Sequence, residues 1–256
     1  MKHRTFHLLL AIFLFCAYCN AQELGKHDFI KHGLFYIDIK NPGYDSTAIR
    51  LPGKTYAVII NGSKDLKSNR ESYWNDCSFL YTTLRNYYKI PRTNISVIMS
   101  DGKDPGADIT MEDNSVVSSL LDLDGDGTDD IDYAATKENI KAVFSRLSNR
   151  IYSRDHLLVF IVGHGYKDKA SYISLWGNED NLYPQELSDY VKDIKAGYIT
   201  FVLGQCFSGG FIDALKADNR LILVACGKDE KSWTRPDIPY DEFVSLFTSA
   251  LSHVNI

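Results

Sequence analysis

The sequence predicts an α/β protein with a doubly wound, mostly parallel sheet and helices on both faces. Two observations support this. Uninterrupted apolar runs such as residues 156–162 and 198–203 are typical of strands that are buried on both faces. Segments with apolar residues at helical spacing alternate with these runs along almost the whole chain, as in doubly wound sheets.

Each element has its own signal. The strands are short apolar runs bounded by breakers. Thr136 precedes helical spacing as an N-cap does, Pro184 suits a first helical turn, and Pro91 follows the end of a helix. The predicted strands are residues 55–60, 94–99, 156–162, 198–203 and 220–225. The predicted helices are residues 71–88, 137–147, 184–194, one from about Gly209, and 243–251.

The chain of 256 residues has room for one large domain, which we expect at residues 54–256. Residues 22–53 are an N-terminal segment that forms either an edge hairpin or a pro-segment. The net charge of −5 argues against a nucleic-acid partner.

The N-terminus has the pattern of a signal peptide. Residues 2–4 are basic, residues 6–18 are apolar but short for a membrane span, and small residues precede Gln22. We expect residues 1–21 to be cleaved near Ala21, which gives an exported protein, secreted or periplasmic, with no membrane span. The alternative is a lipid anchor on Cys16 or Cys19, although bulky residues precede both.

Cleavage leaves three cysteines, Cys77, Cys206 and Cys226. An odd number in an exported protein leaves a thiol free or pairs it between chains. Cys206 follows the strand at 198–203, and His164 follows the strand at 156–162. Because the carboxyl ends of parallel strands form one edge of a sheet, a nucleophile and a base meet there, as covalent catalysis requires. The backbone N–H groups of Gly165 and Cys206 are candidates for an oxyanion hole.

The flanks of this pair resemble the caspase and legumain class of cysteine peptidases. The histidine lies roughly 40 residues upstream of the cysteine, and this spacing is most similar to the legumain-type family, peptidase C13. The resemblance covers about residues 54–251. It is carried by residues 56–63, 74–77, 162–165, 205–209 and 225–233.

The resemblance implies a caspase-like α/β fold and hydrolysis of a peptide or protein substrate through a thioester, without a cofactor. Cys206 is then the nucleophile and His164 the general acid/base. Legumains bind asparagine with an arginine and acidic residues, for which Arg70 and Asp241 are the candidates. Phe207 stands where legumains have an acidic residue. Cys226, in the segment 225–233, is a candidate for the pocket wall.

An acidic loop at residues 122–130 matches the first half of an EF-hand. Alternating carboxylates around glycines suit calcium, which takes six to eight oxygen ligands. Tyr133 stands at the twelfth position, with Asp132 as a substitute ligand. The candidate ligands are Asp122, Asp124, Asp126, Thr128 and Asp130. A solvated acidic turn is the alternative.

Two further functions fit the same residues. A peptidyl transferase or transamidase would use the same thioester and pass the acyl group to an amine. A calcium-dependent binding protein would use the fold as a scaffold, although the presence of both His164 and Cys206 argues against this. The leading prediction is an exported cysteine endopeptidase.

Overall fold

The computed structural model describes residues 35–36, 53–177, 180–234 and 237–252. The predicted signal peptide, residues 1–21, lies outside the described residues. Most of the segment 22–53 lies outside them as well.

The main sheet has six strands in the order β1-β11-β10-β6-β2-β3. β1 pairs antiparallel with β11, and all other neighbours are parallel. Two small sheets, β4-β5 and β7-β8-β9, lie outside it. The strands are β1 (Phe35–Tyr36), β2 (Thr55–Gly62), β3 (Ile95–Met99), β4 (Ile109–Thr110), β5 (Val116–Val117), β6 (His156–Gly163), β7 (Gly165–Lys167), β8 (Ser171–Ser174), β9 (Asn181–Leu182), β10 (Tyr198–Leu203) and β11 (Arg220–Val224).

Helices cover both faces of the main sheet. Alternate residues of β2 enter different cores, since Val58 packs with one cluster and Ile59 with the other. The first cluster includes α2, α3 and α4, and the second includes α1 and α5. The α-helices are α1 (Glu71–Thr82), α2 (Lys137–Ser148), α3 (Pro184–Val191), α4 (Ile212–Leu215) and α5 (Glu242–Ser252). The two-layered core confirms the predicted doubly wound class.

All five predicted strands of the main sheet form, with ends shifted by one or two residues. Thr136 caps α2 as predicted, because its side chain accepts the N–H of Asn139. The helix predicted from 71 to 88 is α-helical only to Thr82 and continues as a π-helical turn, Thr83–Tyr87. The Thr83 hydroxyl donates to the carbonyl of Phe79 at 2.8 Å, a back-bond that often bends helices.

Two other helix boundaries differ from the prediction. α3 ends at Val191, and Ile194 belongs to a following turn. The helix expected near Gly209 is a 3-10 turn, Ser208–Phe211, followed by the single turn of α4. Phe207 has a left-handed backbone, with φ of 58°, so a regular helix cannot start directly after Cys206. Among the residues described, no helix has the length and apolar character that crossing a membrane requires.

Candidate active site

His164 is held between two sheets directly after β6. Its N–H donates to the carbonyl of Gly62 at 3.1 Å, and its carbonyl accepts the N–H of Ser174 at 3.0 Å. The preceding Gly163 has φ of 118°, and a Cβ there would lie 1.8 Å from the carbonyl oxygen of Gly62. Only glycine fits this bend, which places the imidazole at the carboxyl edge of the main sheet.

Cys206 reaches the same edge from β10, and its side chain is half-buried. The loop around it is fixed by Phe207, whose N–H donates to the carbonyl of Glu230 at 2.8 Å. The Cys206 Sγ atom lies 3.5 Å from the hydroxyl oxygen of Ser232. The segment from Cys226 to Ser232 therefore lies against the candidate nucleophile.

The loops that carry His164 and Cys206 touch through Gly165. A Cβ on Gly165 would lie 2.0 Å from the carbonyl oxygen of Cys206 and 2.9 Å from Cγ of Gln205. No other residue fits without moving backbone. The two sequence motifs are therefore in direct backbone contact, as their places at the ends of β6 and β10 predict.

Tyr73, which the sequence analysis did not select, lies against the His164 ring. Its hydroxyl oxygen is 3.4 Å from Nε2 and 3.5 Å from Nδ1 of His164, and the two rings meet edge to face at 5.4 Å. Burial lowers the pKa of His164, and the positive charge of Arg70 lowers it further. Both effects favour a neutral imidazole, the form that can accept a proton from a thiol.

A pair of buried carboxyl groups lies behind Tyr73. Asp76 is fully buried on α1, and its Oδ1 accepts the N–H of Asp241 at 3.2 Å. Within the described part of the chain, the second oxygen of Asp76 and Oδ1 of Asp241 are buried without a hydrogen-bond partner. Burial raises the pKa of both groups, and the charge of Arg70 partly offsets this for Asp241.

The predicted pocket residues Arg70 and Asp241 and the candidate nucleophile Cys206 all act electrostatically on Tyr73. Burial raises the pKa of Tyr73 most, and the charges of Asp241, Arg70 and Cys206 act on it as well. The Tyr73 phenol is therefore within electrostatic range of Arg70, Asp241 and the Cys206 thiol. Asp76 lies in the segment 74–77 that carries the family resemblance but was not selected as a site residue, although an aspartate on the buried face of a helix was an available signal.

We compared the chain with models of known protein families. The model of the Peptidase C13 family matches residues 55–253, a range that includes His164, Cys206 and both strands that carry them. The chain belongs to the Peptidase C13 family. A comparison with curated proteins found no match.

Membership of the C13 family confirms the legumain-like resemblance. Together with the mostly parallel central sheet, it also confirms the caspase-like α/β class. It supports cysteine peptidase activity, and so a hydrolase that acts on proteins.

Cys226, the third pocket candidate, is buried behind the nucleophile loop. Its thiol donates to the carbonyl of Glu230 at 3.2 Å and lies 3.6 Å from the hydroxyl of Ser208. Burial raises the pKa of Cys226, which keeps its thiol protonated. Among the exposed residues of this segment, Trp233 is the large apolar one, 65% accessible and next to Ser232.

The acidic loop brings three of its five predicted ligands together. Oxygen atoms of Asp122, Asp124 and Asp130 lie within 4.8 Å of one another. Asp126 is exposed and is not part of this group, and Thr128, which would contribute its backbone carbonyl, is exposed as well.

The neighbours of the three carboxylates differ. Asp122 accepts the N–H groups of Gly125 and Gly127, both at 2.8 Å. Asp130 already accepts the hydroxyl of Tyr81 and pairs with Arg92. Asp132, the substitute ligand, pairs with Arg92 at 2.7 Å and is not part of the group of three carboxylates.

Proposed function

We propose that this protein is an exported cysteine endopeptidase that hydrolyses peptide bonds through a Cys206 thioester, with His164 as general acid/base. The observation that carries the proposal is the backbone contact between Gly165 and Cys206, which brings both motifs to one sheet edge. Family membership adds the reaction class.

The chemistry follows from the neutral imidazole. His164 takes the proton of the Cys206 thiol, and the sulfur attacks the substrate carbonyl carbon. The N–H groups of Gly165 and Cys206 stabilise the oxyanion of the tetrahedral intermediate. His164 gives its proton to the leaving amine as the C–N bond breaks, which leaves a thioester. His164 then takes a proton from a water molecule, which attacks the thioester carbonyl carbon. The C–S bond breaks, the acid leaves, and His164 returns the proton to the sulfur.

A peptide-library assay on purified protein tests this proposal. Wild type should cleave within peptides, and Cys206→Ala and His164→Ala should lose cleavage by at least about a thousandfold. Cys77→Ala is the matched control, because Cys77 is fully buried in α1 and its loss should leave cleavage intact. Full cleavage by Cys206→Ala would refute the proposal. Assays with added amines distinguish the hydrolase from the transferase alternative, because a transferase yields aminolysis products.

We propose that Arg70 and Asp241 bind the side chain before the scissile bond, with the segment around Cys226 as a wall. The unpartnered oxygen of Asp241 supports a polar substrate side chain, since a donor there would satisfy a buried acceptor. Asp241→Asn should weaken discrimination between polar and aliphatic residues at this position in the library assay. Asp213→Asn is the control, because that side chain is 92% exposed. An unchanged preference in Asp241→Asn would contradict the assignment.

Export is part of the proposal and rests on residues 1–21. N-terminal sequencing of protein from the periplasm or medium should begin at Gln22. A lipid-modified cysteine at the N-terminus would favour the anchor alternative, and an intact Met1 in the cytoplasm would contradict export.

We propose that the acidic loop binds calcium through Asp122, Asp124 and Asp130. The supporting observation is an oxygen of Asp124 that is buried without a hydrogen-bond partner in the described residues. Calorimetry should show calcium binding that Asp124→Asn abolishes and Asp113→Asn retains, since Asp113 lies in another exposed acidic turn. No heat with wild type would contradict the site. Calcium-dependent binding of another protein by Cys206→Ala would favour the scaffold alternative.

A further inference from the structure

A row of tyrosine rings leads away from His164 along the small sheet β7-β8-β9. The His164 and Tyr166 ring centroids lie 6.0 Å apart. Tyr166 stacks on Tyr172 at 5.7 Å, and Tyr172 lies 5.4 Å from Tyr183. Tyr166 is 39% exposed, and the other two tyrosines are partly exposed. We call Tyr166, Tyr172 and Tyr183 the tyrosine shelf.

The first two rings of the shelf lie on the same side of this small sheet as the imidazole. Tyr166 and Tyr172 are opposite each other in the β7-β8 register, while Gly165 and its partner Ile173 are buried. The His164 and Tyr166 rings lie side by side, with 36° between their planes, so the imidazole is on the same side as the two tyrosines. The shelf is therefore continuous with the imidazole and belongs to the outer face of this sheet.

The proposed reaction determines which half of the substrate lies along the shelf. His164 protonates the leaving amine, so that nitrogen must lie beside the imidazole when the bond breaks. The peptide that follows the scissile bond therefore departs on the His164 side of the site. The ring centroids from His164 to Tyr183 are separated by 5.4 to 6.0 Å each, so the shelf extends alongside at most about five residues of an extended peptide.

Lys167 and Lys137 beside the shelf are paired, while Asp168 is exposed and its charge acts on Tyr172. Lys167 bonds Asp229, and Lys137 bonds Glu186 at 2.8 Å while lying 5.8 Å over the Tyr183 ring. The rings of the shelf are partly exposed, and such ring faces stack with aromatic and aliphatic side chains.

Resting on the proposed function, we propose that the tyrosine shelf binds the substrate segment after the scissile bond and selects aromatic or large aliphatic side chains in it. The shelf makes the enzyme selective on the leaving side, independently of the pocket at Arg70 and Asp241. A cross-strand pair that only stabilises the hairpin is the competing role for Tyr166 and Tyr172.

Two kinds of substrate with the same acyl half separate these roles. One carries an aminocoumarin leaving group with no further residues, and the other is an internally quenched peptide with phenylalanine or alanine two residues after the scissile bond. Tyr172→Ala should lower kcat/KM about tenfold for the phenylalanine peptide and abolish its advantage over alanine. The coumarin substrate should stay within about twofold of wild type.

The matched variants are Tyr172→Phe and Tyr152→Ala. Tyr172→Phe retains the ring and should keep the phenylalanine advantage. Tyr152 is 62% exposed and precedes β6, at the opposite edge of the main sheet from His164, so its loss should change neither substrate. An undiminished phenylalanine advantage in Tyr172→Ala would overturn the proposed role of the shelf. Equal losses of kcat/KM on the coumarin and peptide substrates would overturn it as well.

Binding separates failure of the shelf from failure of the catalytic proposal. On a Cys206→Ala background, calorimetry compares the affinities of the phenylalanine and alanine peptides with and without Tyr172→Ala. A phenylalanine advantage that disappears with Tyr172→Ala supports the shelf even where wild type cleaves neither substrate. Equal affinities for both peptides on the Cys206→Ala background would overturn it, whatever the turnover.

Discussion

Replacing Gly165 with alanine tests whether contact between the two loops creates the active site. The new Cβ would lie 2.0 Å from the carbonyl oxygen of Cys206 and 2.9 Å from its carbonyl carbon. Ordinary contacts start near 3.4 Å, so the loops must separate by more than 1 Å. Misplacement of about 1 Å can cost about a hundredfold in rate, while overpacking costs about 1–3 kcal/mol of stability. We expect a folded protein with kcat/KM lowered at least about a hundredfold.

The assay is kcat/KM on a fluorogenic peptide, with thermal melting and circular dichroism to verify folding. Gly106→Ala is the matched control, because its Cβ would meet only the side chain of Asp104, at 3.0 Å in an exposed loop. The control should retain activity. A Gly165→Ala enzyme that keeps more than about a third of wild-type kcat/KM would refute the reasoning.

Three further predictions concern the surroundings of the site and the far end of the sheet. Tyr73→Phe removes the hydroxyl that lies 3.4 Å from the His164 ring and should lower kcat about fivefold with KM unchanged; a change in KM alone would contradict this. Arg70→Gln removes a positive charge that lowers the pKa of His164, so the acid limb of the kcat/KM profile should move to higher pH. The assay uses a substrate with an uncharged side chain before the scissile bond. An acid limb that does not move would argue against an effect of Arg70 on the pKa of His164. Burial lowers the pKa of His156 to about 4, and an unfolded histidine titrates near 6.5. The unfolded chain therefore binds more protons between these values, and the free energy of unfolding should fall by up to about 3 kcal/mol as the pH drops across them. Urea unfolding should show a flatter pH profile in His156→Gln, and an equally steep one would refute the assignment.

The sheet was predictable because burial on both faces requires uninterrupted apolar strands. Phe160 of β6 and Phe201 of β10 have no exposed surface, so each run reads as one apolar block. His164 and Cys206 were predictable for the same reason, since both follow such blocks and parallel strands end at one edge. Gly165 could be selected from the sequence as a candidate, but its backbone contact with Cys206 could not be predicted.

The rest of the site depends on contacts between distant residues. Asp76 and Asp241 share a hydrogen bond across 165 positions, and Ser232 meets Cys206 across 26. No local sequence pattern predicts a contact between residues that are so far apart in the chain. β7 and β9 have only three and two residues, too short for alternation to predict the sheet that carries the tyrosine shelf.

A thioester on Cys206 can be trapped directly as an acyl-enzyme. Wild-type protein quenched with acid during turnover of a peptide substrate is digested and analysed by mass spectrometry. We expect the acyl half of the substrate on the peptide that contains Cys206, with none in Cys206→Ala or after treatment with hydroxylamine. An acyl group on Cys77 or Cys226, or undiminished cleavage by Cys206→Ala, would contradict it.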